Sequence, residues 1–573
     1  MLDLPSRVDL IPTRLRPGAD LLAEGRAMAR DWPLGTSAFM AATGLGSEAE
    51  WKRRQTRIMQ HAHIGFRSVD RTLEGLREVH GRCAGQGVIV DRFGITLDWS
   101  MGYPQAMRAK AGRGTGIVLT GPEDFARITG AVPAAAHFGD FMLGLPGALE
   151  NARAAIAAGA TALGNLGQYF TFRLPGWDDD VATTEATVTA LGLIAAQGGR
   201  VLVHSNLDDG FAGLFRDMTC SLGMVLVEKR IVEGLIGAPL AHCHGHHFSD
   251  PMSRLAFHAA LAQVSDTPGT MIFGNTVSYR SLPEANGASL AAYLLPDMMA
   301  LGRWPTGHAV NPVPLTENLR IPDTDEIIAA QLFAHRLAEH APAHAAVVNW
   351  DAVEAQAARL VIGGEAFAKA LFAGLEEMGV ALDDPAELLL AIRRLGARRL
   401  EQAFGPGAVG TRGREPVIPA DWARELDHMA DRWLAQVGPQ RPRRGLRVCV
   451  GASDVHEHGK HLVERALEGL EMTVVDGGVS VDPEVLVDRA LAGGADVIAV
   501  STYNGIARRY VQAVLQALSD RGATLPLLIG GKLNEVPDDT NSGLPVDVTA
   551  EIAALGALPC ADLDAMLAAL TRA

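Results

Sequence analysis

Between residues 446 and 531 the chain alternates strand-length apolar runs with helix patterns, and the first, third and fourth runs end in short polar or glycine motifs. The first run, 446–451, gives way to Asp454-Val455-His456-Glu457-His458-Gly459, which reads D-x-H-x-x-G. A helix pattern covers 458–470 and a second strand 472–475. Asp482 and Pro483 then suit an N-cap and a first helical position. The next run, 496–500, ends in Ser501-Thr502-Tyr503-Asn504-Gly505, and the last, 525–529, ends in Gly530-Gly531. Such alternation specifies a doubly wound parallel sheet, whose ligands bind beyond the carboxyl ends of the strands. All three motifs fall at those ends.

The residue types suit a metal-bearing ligand. A histidine at a strand tip presents a ring nitrogen to a metal above the sheet. An aspartate two residues earlier accepts the other ring N–H, which sets the tautomer and raises ligand basicity. Gly459 leaves room for a bulky group beside the backbone. In this order, D-x-H-x-x-G, S-x-(L) and GG resemble the cobalamin-binding domain shared by carbon-skeleton mutases and methionine synthase, in particular the small subunit of glutamate (methylaspartate) mutase. The resemblance spans residues 446–535. It implies that His456 is the lower cobalt ligand in place of the cofactor's own base, oriented by Asp454. It also implies that Gly459 admits the displaced nucleotide tail, Ser501 hydrogen-bonds its base, and Gly530 and Gly531 pack flat against it. Tyr503 stands where the family usually has leucine, and a tyrosine there narrows the tail pocket or puts a polar contact in it.

Composition agrees with a large soluble enzyme. At 573 residues the chain is long enough for three or four domains of about 150 residues each. No apolar run has membrane-spanning length, and the N-terminus lacks a signal-peptide pattern. Five cysteines, odd in number and far apart, fit reduced thiols in a cytoplasm. A net charge of −15 without a basic run argues against a nucleic-acid partner. A homodimer is the expected assembly.

Ahead of the cobalamin-like segment, 437–445 combines two prolines, two glycines and three arginines without periodicity and reads as a linker. Residues 346–436 look mostly helical, and 1–55 form a helical leader. Over 56–345, short Val/Ile/Leu-rich runs such as 116–119, 200–203 and 270–273 alternate with alanine-rich helical stretches, which predicts a (β/α)8 TIM barrel. The expected architecture is therefore α/β throughout: a barrel, a helical region and a flavodoxin-like domain.

The barrel region resembles the large subunit of glutamate mutase at several points in order. Gly65-Phe66-Arg67-Ser68-Val69 resembles that family's first strand, which ends in a substrate-binding arginine. Leu143-Gly144-Leu145-Pro146-Gly147 resembles its N-G-F-P-G turn, and 164–169 lies where the family has a substrate-contacting glycine-rich loop. In 314–322 Glu317 takes the place of a glutamate that contacts the adenosyl ribose. Val313 replaces a family lysine, and Asn165, or Gln168 in a shifted alignment, replaces the glutamate that binds a substrate ammonium. A neutral amide offers an ammonium no charge–charge attraction, so glutamate is not the expected substrate. Arg67 and Arg173 remain able to clamp a carboxylate.

His242-Cys243-His244-Gly245-His246-His247 falls at an expected strand end. Histidines facing a substrate pocket are the favoured reading, with His244 and Tyr103 as further catalytic candidates; solvated loop residues and a second metal site are the alternatives. His61, His63 and His204 also lie near expected strand ends. The resemblance implies an adenosylcobalamin-dependent mutase that rearranges the carbon skeleton of a small carboxylic acid. A corrinoid methyltransferase and a non-catalytic cobalamin-binding protein are the rival readings.

Overall fold

A computed structural model describes the chain apart from residues 1–3, 55–56, 113, 280–281, 411–412, 438–444, 455–456, 504, 537–543 and 573. The chain forms two compact units, Met1–Thr171 with Asp179–Asp421, and Phe172–Asp178 with Trp422–Ala573. Most of the expected linker, 438–444, lies outside the described residues.

The first unit is mixed α/β with parallel strands. These are β1 (Met59–Ile64), β2 (Arg92–Ile95), β3 (Ala135–His137), β4 (Ala162–Leu163), β5 (Leu202–Asn206), β6 (Leu240–Cys243), β7 (Met271–Ile272) and β8 (Ala309–Val310). They form two sheets, ordered β3-β2-β1-β8-β7 and β4-β5-β6. A parallel bridge joins Phe138 to Leu163 between the sheets, and on the other side Phe273 N donates to His244 O. The strand expected at 116–119 is reduced to a single bridge, Leu97 to Ile117. Gly116 there lies so close to the Leu97 carbonyl that a Cβ would sit 2.3 Å from it, so the segment follows the end of β2 without pairing along its length.

Short helices lie within residues 4–54, and the last of them, Glu48–Arg54, sends charge into the sheet interior. Glu48 and Lys52 are fully buried and paired at 3.2 Å. Arg92, the first residue of β2, donates to Glu48 Oε1 (2.9 Å), His61 Nδ1 (2.9 Å) and the Thr270 carbonyl. Burial pulls the Lys52 ammonium down to about 7, against the opposing pull of Glu48. The expectation of a merely helical leader missed this role, because an amphipathic pattern does not show what its inner face meets.

Two long helices, Trp350–Glu377 and Pro385–Phe404, complete this unit, followed by the antiparallel pair β9 (Val409–Gly410) and β10 (Gly413–Arg414). Asp384 caps the second helix, accepting from Ala386 N and Glu387 N. Glu401 on that helix accepts the Asp217 N–H at 2.8 Å, and burial pushes its carboxyl up to about 7. The folded protein thus favours the protonated form, so this contribution to stability is present at low pH and fades as pH rises towards 7. Glu401→Gln keeps the acceptor and cannot ionise. In urea unfolding it should gain on the wild type by about 2 kcal/mol between pH 5 and 8.5. Parallel pH profiles would contradict this.

The second unit contains β11 (Arg447–Ala452), β12 (Thr473–Gly478), β13 (Val497–Thr502), β14 (Leu527–Gly531), the small antiparallel pair β15 (Asn534–Glu535) and β16 (Val546–Asp547), and β17 (Leu558–Cys560). Its main sheet is wholly parallel, in the order β12-β11-β13-β14-β17. The chain winds outward in both directions from β11, which places the switch point between β11 and β13. Apolar side chains cover both faces, Cys449, Ile498 and Ile529 on one and Val448, Val497 and Leu528 on the other, as a doubly covered sheet requires. The helix Asp421–Gln436 belongs almost entirely to this unit. Trp422 stacks on His458 at 4.5 Å, Asp427 accepts from His461 and Arg465, and Trp433 donates to Asp564.

Among the described residues no helix is long and apolar enough to cross a membrane. All five cysteines are buried and unpaired.

Candidate functional site

In the second unit the motif residues gather at the carboxyl end of the sheet. Asp454 follows β11 and is buried; its Oδ2 accepts the Tyr503 N–H at 2.8 Å and the Ser453 hydroxyl at 3.2 Å. These bonds tie the loop after β11 to the loop after β13 and leave the carboxylate one fixed orientation. His456 lies outside the described residues. Gly459, in the helix His458–Gly469, faces Ser501 at the end of β13 so closely that a Cβ would stand 2.2 Å from Ser501 Oγ. Ser501 and Thr502 pair in register with Gly530 and Gly531 on β14. Gly531 has φ +102° and lies against the Thr502 carbonyl, a backbone path that suits glycine. Tyr503 is 40% exposed, and Lys532 stands 4.0 Å over its ring. The ring therefore fills no apolar slot where a leucine would be expected.

In the first unit a cavity of about 250 Å³ opens at the carboxyl ends of the strands. Gly65 follows β1 in its wall, and a Cβ at Gly94 would meet the rings of His61 and His63. The wall also carries His137, His204, Asp140, Asn206 and Asn311. Glu317 lines it too, as does Val313, whose N–H donates to the Tyr293 hydroxyl and whose carbonyl accepts from Tyr279. His137 Nε2 and His204 Nδ1 are 3.2 Å apart. Burial is the main cause holding both rings well below the ordinary histidine range, joined for His137 by His204 and for both by Arg92 and Lys52. Burial likewise lowers His63 to about 4.

The other expected substrate residues take different places. Asn165 is a clamp: its Oδ1 accepts from Gly167 N and Asn206 N, and its Nδ2 donates to Asp209 (2.7 Å) and Asp140 (3.4 Å). The carboxylates near this loop come from residues that the motif comparison did not single out. Burial raises Asp140, and burial together with Asp140 and Asp208 raises Asp209 further. Gln168 accepts the Phe141 N–H and holds the turn after β3. Arg67 lies two residues beyond the cavity-lining Gly65 and is half-buried outside the wall. Arg173 belongs to the segment 172–178 of the second unit. Tyr103 is buried against Trp99 and accepts from Arg108 through its carbonyl.

His242 and His244 do not face the cavity, which corrects the expected orientation. His242 Nε2 meets Glu228 Oε2 at 2.9 Å on the helix Met218–Lys229, and His244 packs against Phe257 and His258 of the helix Pro251–Val264. Alternation along β6 puts both on the helix-facing side. Only His246, beyond the strand, reaches the wall. No group of three or more His, Cys, Asp or Glu among the described residues is arranged to hold a metal ion. His137 and Asp140 escaped sequence reading; their only signal was His137-Phe138-Gly139-Asp140, a polar and glycine pair closing a three-residue strand too short to show a period.

No family model matches the chain. Over 100 residues, 18% of this chain, it is 33% identical to the 2-hydroxyisobutanoyl-CoA mutase small subunit of Aquincola tertiaricarbonis and covers 71% of that subunit. The chain belongs to the cobalamin-binding mutase family. Among solved structures it is similar to a cobalamin-binding protein from Desulfitobacterium hafniense at 19% identity and a TM-score of 0.18, covering 25% of this chain and spanning 63% of that one. For a family of this kind the geometry of the second unit is apt. Gly459 of the helix approaches Ser501 closely, and Gly530 and Gly531 stand in register with Ser501 and Thr502.

Proposed function

We propose that the chain is an adenosylcobalamin-dependent radical mutase of the glutamate-mutase type, acting on the carbon skeleton of a small carboxylic acid. In this reading the parallel strands β1 to β8 form a (β/α)8 barrel, and the enzyme is a cytoplasmic homodimer. The observation that carries the reading is the close approach of Gly459 to Ser501, where an added Cβ would clash, beside an Asp454 carboxylate that accepts the Tyr503 N–H. His456 is the proposed cobalt ligand, with Asp454 accepting its second ring N–H. Ser501, Gly530 and Gly531 line the path for the nucleotide tail. When bound, the cofactor supplies a 5′-deoxyadenosyl radical that removes and returns a substrate hydrogen. The cavity at the strand ends is the proposed substrate site: Glu317 receives the ribose hydroxyls, and Arg67 holds the carboxylate. Neutral, buried imidazoles keep that cavity polar without adding charge.

Anaerobic reconstitution with adenosylcobalamin and a panel of small mono- and dicarboxylic acids tests this. At least one acid should produce a cob(II)alamin–radical signal in electron paramagnetic resonance, whereas a corrinoid methyltransferase would instead transfer methyl groups to a thiol or folate. His456→Ala should abolish histidine coordination of cobalt, and His458→Ala should not. Glu317→Gln should lower the yield of substrate-triggered cob(II)alamin while leaving hydroxocobalamin binding unchanged, because a carboxylate accepts a hydroxyl about twice as strongly as an amide. A silent panel with normally bound cofactor would refute the mutase assignment.

A further inference from the structure

The wall of the strand-end cavity contains buried polar atoms that the fold itself leaves without partners. His137 Nδ1, His204 Nε2 and Asn311 Nδ2 make no hydrogen bond, although each residue is only 1% exposed. Leaving such groups unsatisfied is costly, so three around one cavity point to a ligand that completes them. The two imidazoles are bonded to each other through Nε2 of His137 and Nδ1 of His204. One of these nitrogens donates and the other accepts. Whichever tautomer is present, the pair therefore turns outward one N–H and one bare nitrogen. A hydroxyl, which both donates and accepts, satisfies such a pair.

Charge narrows the ligand class. Arg92 and Lys52 both act on His137 and His204. A cation beside the pair would meet this positive field. The outer wall carries the carboxylates of Asp140 and Glu317, and among the described residues no lysine or arginine lines the cavity. A carboxylate drawn into it would meet like charge. An uncharged polar oxygen escapes both penalties.

We propose that His137 and His204 are a substrate-binding pair that takes a hydroxyl group, which makes the substrate a hydroxyl-bearing acid and not an amino acid. This rests on the cavity being the substrate site of the mutase, with the acid group held outside it at Arg67.

The test uses the full chain without cobalamin, labelled with ¹⁵N-histidine, and three probes of one size: 1,2-propanediol, propionate and propylammonium. His137→Phe and His204→Phe assign the two imidazole signals and remove one partner each; unchanged circular dichroism and cobalamin binding show that they fold. The diol should shift both imidazole signals of the native chain, with neither reaching imidazolium values down to pH 5. Each variant should weaken the response of the remaining signal at least tenfold. The proposal is overturned if the diol leaves both signals in place, if propionate or propylammonium moves them more than the diol does, or if either variant binds the diol as the native chain does. None of these outcomes bears on the radical signal, so the pair can fail while the mutase assignment stands, and the reverse.

Discussion

Arg92→Ala should destabilise the first unit by about 3–5 kcal/mol, the cost of leaving a buried charge without its partner. Glu48 and Arg92 are each 1% exposed in their side chains, and the guanidinium also satisfies His61 Nδ1 and the Thr270 carbonyl. Lys52 remains beside Glu48 at 3.2 Å, but an ammonium cannot reach three separated acceptors as a planar fork does. Arg92→Lys should therefore recover only part of the loss. Urea unfolding of the two variants against the native chain measures the effect, and a loss under 1 kcal/mol for the alanine variant would mean that the network carries no net stability. Arg92 is also among the charges that hold His61, His137 and His204 down. In a variant that still folds, those three imidazoles should titrate at higher pH.

Gly459→Leu should reduce cobalamin affinity at least a hundredfold while the second unit stays folded. The nearest atom to an added Cβ is Ser501 Oγ, which can rotate away, and leucine is a better helix former than glycine within His458–Gly469. The fold thus accommodates the residue. What it loses is the close approach of the helix to the end of β13, beside which the nucleotide tail is proposed to pass. Gly459→Ala should give an intermediate loss, since Ser501 alone must move. Equilibrium dialysis with hydroxocobalamin and thermal unfolding of the same samples separate binding from stability. Undiminished binding by the leucine variant would place the tail elsewhere.

Much of the second unit was legible because its signals are local. Strand-length apolar runs, a helix opened by Asp482-Pro483 and glycines at strand ends report on the backbone where they stand. The first unit was less so. The apolar run at 116–119 has the composition of a strand yet makes one bridge, because pairing depends on a neighbour that composition does not name. The histidines of 242–247 show the same limit at the level of a site. Their density suggests a pocket, but the direction of each ring depends on which face of β6 looks inward, and a shift of one residue reverses it. His242 and His244 met a glutamate and a phenylalanine of the surrounding helices instead.

The amino-acid sequence by itself determined the parallel α/β character of the chain, the order of its elements from 446 to 531, and the arrival of Asp454, Gly459, Ser501 and Gly530-Gly531 at one end of a sheet. Each of these follows from periodicity and turn chemistry within a few residues. Only the tertiary structure decided that Glu48 of an early helix, itself paired with Lys52, neutralises Arg92 inside the first unit, that His137 and His204 meet, and that Asn165 serves two carboxylates. These pairs are separated by 25 to 67 residues apart from Glu48 and Lys52, which are four apart. Their chemistry arises from burial and proximity, which raise or lower a side chain's charge cost only once distant strands have been brought together.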